Sequence, residues 1–132
     1  MTPTLQSVWL VDSADRDPTT GKVNVLGMFD CIDVPAGSEY AAGATLFFAV
    51  RGVHGRADLD LLYVDLATDE VLVERAVRVD GDPLDTTDVT VRMSRIPTPH
   101  AGEFAWELQC DGEPLGSCRV RVTVTGRDED VP

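Results

Sequence analysis

The chain has 132 residues and a formal charge of −12, from 23 acidic side chains against 11 basic ones, so it repels a polyanion out to about a Debye length and excludes nucleic acid and anionic membrane as partners. Apolar residues make up 43% and aromatics only 6%, which predicts one domain whose core is built mainly from Val, Leu and Ala around a few large anchors: Trp9, Phe29, Phe47, Phe48, Tyr63, Phe104 and Trp106. No apolar run approaches the ~20 residues that span a bilayer, and the Met-Thr-Pro-Thr start lacks a positive segment followed by an apolar one, so a cytoplasmic location is expected.

The first segment, about residues 5–12, is uncharged from Leu5 to Val11 and puts apolar side chains on both faces through Val8-Trp9-Leu10-Val11. An N-terminal strand of this kind is expected near a sheet edge, with Trp9, Leu10 and Val11 as an interface to a protein partner or a second copy. The second, about 22–33, changes apolar phase from Val23 and Val25 to Leu26, Met28 and Ile32 with Gly27 at the change, which predicts a β-bulge. Segments at about 44–52, 57–66, 71–79, 86–96, 103–111 and 116–125 follow. Arg119-Val120-Arg121-Val122-Thr123-Val124-Thr125 alternates throughout, and Val71, Val73, Val77, Val79, Val89, Val91 and Met93 keep the same period of two. Between them fall Asp17-Pro18 with Gly21, Pro35-Ala36-Gly37, Gly52 and Gly55, Asp80-Gly81-Asp82-Pro83, Pro97 to Gly102, and Asp111-Gly112-Glu113-Pro114.

Eight short strands with turns every ten residues or so predict an all-β protein: a two-sheet antiparallel β-sandwich, with a small β-barrel as the alternative. The domain is expected over residues 1–126, followed by an acidic tail, 127–132, with nothing to bury. A register with Cys110 opposite Cys118 places Leu108 on Val120, Trp106 on Val122 and Phe104 on Val124, all on one face, and leaves Glu103, Glu107, Arg119 and Arg121 on the other.

The run Trp9-Leu10-Val11-Asp12-Ser13-Ala14, then Gly21-Lys22-Val23-Asn24-Val25-Leu26-Gly27-Met28-Phe29-Asp30, and later Ile96-Pro97 with Pro99, Gly102-Glu103-Phe104 and Asp111-Gly112-Glu113, resembles an uncharacterised bacterial family of stand-alone small β-sandwich proteins. The resemblance implies the sandwich fold over nearly the whole chain and no catalytic residues. Where that family's pattern leads one to expect Tyr, this chain has Phe104, so a hydrogen bond from that hydroxyl is missing.

Chemistry is sparsely supplied. The two histidines, His54 and His100, lie in separate Gly-containing loops, which strict strand alternation places at opposite ends of the sandwich; no Gly-x-Ser-x-Gly occurs, and Gly52-Val53-His54-Gly55 lacks the Lys and helix of a phosphate loop. Cys31, Cys110 and Cys118 have no metal-ligand spacing and are expected as unreactive core thiols. If strands alternate strictly, the loops after the first, third, fifth and seventh share one end, which gathers Asp12, Asp15, Asp17, Asp80, Asp82 and Asp85 with Asp111 and Glu113. Converging carboxylates can hold Ca²⁺, the one cofactor the sequence offers, although turns also favour Asp for local backbone reasons. The reading is therefore a non-catalytic protein-interaction or scaffold module; a Ca²⁺-dependent binding domain is the first alternative, and a hydrolase or thiol enzyme the second. A ligand pocket with perturbed titrating groups favours an enzyme, and an exposed apolar patch favours the module.

Overall fold

A computed structural model describes residues 2–125. The acidic segment 127–132 lies outside the described residues. Among the described residues there are nine strands: β1 (Thr4–Arg16), β2 (Val23–Met28), β3 (Cys31–Pro35), β4 (Tyr40–Arg51), β5 (Gly55–Asp65), β6 (Glu70–Gly81), β7 (Thr86–Pro97), β8 (Gly102–Cys110) and β9 (Glu113–Thr125). They form two sheets, ordered β2-β1-β4-β7 and β3-β9-β8-β5-β6, in an all-β sandwich. Side chains that alternate toward the interior meet between the sheets: Leu10, Leu46, Phe48 and Val50 from one, Leu59, Leu61, Tyr63, Phe104, Trp106 and Leu108 from the other. Tyr63 lies at their centre, 5.4 Å from Phe104 and 4.4 Å from Trp106 between ring centroids.

The segment at 22–33 is two strands rather than one. β2 pairs with β1, and after Phe29 and Asp30 the chain crosses to the other sheet, where β3 runs parallel to β9, so the sandwich is not wholly antiparallel. No bulge lies at Gly27: Val11 faces Met28 and Ser13 faces Leu26, two residues apart on both strands, so the register is unbroken. Gly27 instead takes a φ of 71°, and a Cβ there would overlap the Asp12 carboxylate. The apolar phase change is real, and it has a different cause. Val23 and Val25 are half-buried, whereas Leu26 and Met28 point outward.

The last hairpin closes more tightly than the expected register, with Cys110 opposite Cys118, would have it. Cys110 faces Glu113 across the two-residue turn Asp111-Gly112, both with positive φ, as a hairpin turn of this hand requires. Trp106 therefore faces Cys118, and Phe104 faces Val120, four positions from the expected register. Because four is even, Phe104, Trp106 and Leu108 and their partners keep the face assigned to them, and a register shift between Leu108 and Gln109 brings Cys110 to Glu113. The slip brings Glu103 opposite Arg121, at 3.4 Å.

Candidate functional site

β1 is not an edge strand along its whole length. Its partner changes at Val11, which faces both Met28 of β2 and Thr45 of β4: from there to Arg16 the paired strand is β2, whereas Thr4–Trp9 has a hydrogen-bonded neighbour, β4, on one side only. On the other side β9 packs without joining the ladder, so closely that a Cβ on Gly116 would meet the Leu5 side chain at 2.6 Å. The three residues expected at an interface separate accordingly. Leu10 and Val11 are 1% and 0% exposed, within the fold, and are corrected to interior positions; Trp9 is 47% exposed.

Trp9 is one of several large apolar side chains that the fold leaves exposed. Leu26 is 64% and Met28 61% exposed, and Tyr40, also exposed, stands under the Arg95 guanidinium at 4.1 Å. Two grooves flank the β2–β3 crossing. One, of about 450 Å³, runs from Asp12 and Gly27 past Ile32 and Val34 to Tyr40 and Gly43; the other, of about 300 Å³, is lined by Val8, Trp9, Asp30 and Cys118. Met28 and Phe29 line both and form the ridge between them. The signal was present in the sequence as the phase change at Gly27; it marked exposure where a bulge was expected.

Four strands end the two sheets. β6 and β7 carry charges along their lengths, and β3 carries Asp33 and ends at Pro35, which are common protections against strand addition. β2, Val-Asn-Val-Leu-Gly-Met, has no charged residue among its six.

The aspartates do not gather into one group. β4 runs antiparallel to β1, so the β4–β5, β6–β7 and β8–β9 connections share the end at which β1 begins, yet Arg16 at the far end of β1 comes within 4.0 Å of Asp88 near the start of β7. Asp12 and Asp15 sit on β1 itself, and Asp80 on β6. Asp17 accepts the Thr19 amide at 2.8 Å and Asp82 the Leu84 amide at 2.9 Å, the local turn uses that favour Asp. Asp85 lies in the same β6–β7 turn, its amide donating to the Asp82 carbonyl at 3.1 Å. Among the described residues no three His, Cys, Asp or Glu side chains are grouped closely enough to hold a metal ion.

His54 and His100 fall at opposite ends, and His100 has a buried carboxylate partner. Its Nε2 lies 2.5 Å from Asp65 Oδ2 and its Nδ1 2.7 Å from the Ala101 carbonyl. With both nitrogens engaged, neither is free to take a proton from a nucleophile, so the pair is built to hold two loops together. Of the thiols, Cys110 is buried and Cys118 half-buried, and burial pushes both up; Cys31 is exposed, which corrects its expected core placement.

The model of a family of unknown function, DUF6941, matches residues 6–123, and the chain belongs to that family. No curated protein matches it.

Proposed function

We propose that this member of the family is a non-catalytic interaction module that associates with a second copy of itself by pairing β2 with β2, Met28, Leu26 and Trp9 packing across the joint. The observation that carries the reading is the combination on β2: an edge strand without charge that exposes two large apolar side chains, each by more than 60%. Antiparallel pairing of one edge with its own copy satisfies two-fold symmetry and needs no second surface. The grooves on either side of the Met28–Phe29 ridge offer recesses for the partner's side chains.

Two bodies of charge −12 repel, so the association is weak at low salt and tightens as salt screens them. A basic partner would show the reverse dependence. The test is solution mass by light scattering from about 1 to 100 μM protein, at ionic strengths of about 0.05 and 0.5 M. The expected result is a dimer that strengthens with salt and is lost in Met28→Glu, with an unchanged circular dichroism spectrum. A monomer under all these conditions would discard the self-association.

A further inference from the structure

The sandwich is open on the side opposite β2, where β6 and β7 end the two sheets, and a cavity of about 170 Å³ lies in that opening. Its walls are Leu61, Val73, Met93 and Trp106, and its polar groups are Ser94, Arg75 and Arg95. Arg75 faces Leu61 in the β5–β6 ladder, so it projects from the core side of an edge strand, where an apolar residue would be expected, and its Nη1 donates to the Arg92 carbonyl on β7 at 3.0 Å. Among the described residues neither Arg75 nor Arg95 has a carboxylate within ion-pair distance, in a chain with 23 acidic residues against 11 basic ones. Trp106 adds an independent observation. Its Nε1–H is buried and has no hydrogen-bond partner among the described residues, although an indole N–H can only donate and is costly to bury unpaired.

We infer that this cavity is a binding site for a compact organic monocarboxylate, with the Arg75 and Arg95 guanidiniums at its mouth receiving the carboxylate and Leu61, Val73 and Met93 enclosing an apolar body. The lining carries donors and no acidic side chain, which selects an anion in a molecule that otherwise repels anions. The volume equals that of about five or six waters, enough for a ring or a short branched chain and too small for a nucleotide. Wholly hydrated anions such as inorganic phosphate would leave the apolar wall unused.

The experiment titrates the intact protein with benzoate and follows the indole N–H resonance of Trp106, distinguished from Trp9 with a Trp9→Phe variant; benzyl alcohol, sodium phosphate and sodium chloride serve as controls. The expected result is a saturable shift with benzoate alone, weakened about ten-fold in Arg95→Gln and less in Arg95→Lys, as loss of one charged hydrogen bond implies. Arg95 is exposed, so both variants keep the fold, which their amide dispersion verifies. Val73→Phe, which fills the cavity and leaves both arginines in place, should abolish the shift. An unmoved Trp106 resonance, an equal response to benzyl alcohol, an equal response to phosphate, or unchanged affinity in Arg95→Gln would each overturn the site.

Discussion

His100 and Asp65 are joined in a way that only a charged imidazole can satisfy: Nδ1 faces the Ala101 carbonyl and Nε2 faces the Asp65 carboxylate, so both nitrogens must donate. The hydrogen bond to the Ala101 carbonyl, with that to Asp65, holds the His100 imidazolium above its ordinary range. Burial pushes the Asp65 carboxyl up, but the bonds from His100 and the Ala67 amide outweigh it and leave the group below its ordinary range.

The sign of the pH dependence follows. A raised histidine contributes stability that is complete below its unfolded value of about 6.5 and is lost as pH rises through the higher folded value. A lowered aspartate contributes above its unfolded value of about 3.9 and loses that contribution as pH falls through the folded one. Both are complete between about pH 4 and 6.5, so denaturant midpoints should fall on the alkaline side of that window and the fall should be smaller in His100→Asn. A wild-type profile flat from pH 6 to 9 would refute the coupling.

Asp65→Ala should cost about 1–3 kcal/mol, because the carboxylate also accepts the Ala67 amide at 3.0 Å in the turn that joins β5 to β6. Urea denaturation measures this, and a loss below about 0.5 kcal/mol would show that water replaces the carboxylate without penalty.

Trp106→Ala should cost about 3–5 kcal/mol, since the ring is 1% exposed and packs at a tilt against Tyr63. Tyr63→Phe should be neutral or stabilising by contrast. The Tyr63 hydroxyl is buried with no partner among the described residues, and its removal relieves a desolvated group while leaving the ring in place. Thermal melts of the two variants are a direct comparison.

One thiol should react quickly in the folded protein and two more only after denaturation. Cys31 is exposed, whereas burial encloses Cys110 and raises it, and Cys118 likewise. A disulfide reagent read by absorbance counts them, and Cys31→Ser should remove the fast phase. Fast reaction of two thiols would show that the β9 side of the Trp9 groove opens in solution.

Gly27→Ala should destabilise by about 1–2 kcal/mol, from the left-handed backbone at that position. Asp12→Ala in the same chain removes the side chain that the new methyl would meet, so a partial recovery in the double variant separates crowding from backbone strain.

Period-two alternation and the placement of Gly and Pro were enough to specify an all-β sandwich, because burying one face of each strand leaves little choice of side. The same local pattern was indifferent to a four-residue slip in the last hairpin, which re-pairs Gly102–Leu108 without turning a side chain over; the register shift after Leu108 and the two positive-φ residues of the Asp111-Gly112 turn decided it. Alternation could not show that the chain changes sheets at Phe29 and Asp30, since a strand interrupted by two residues reads as one strand with a fault. That crossing decided the rest. It inverted the order of the later loops, and the finished fold encloses Leu10 and Val11 and leaves Trp9, Leu26 and Met28 on the outside. Nor did spacing hint at the His100–Asp65 pair, 35 positions apart, or at two arginines beside Trp106. Which face a strand buries is a local property, written into its own residues, but which strands become neighbours is settled by the whole core closing at once.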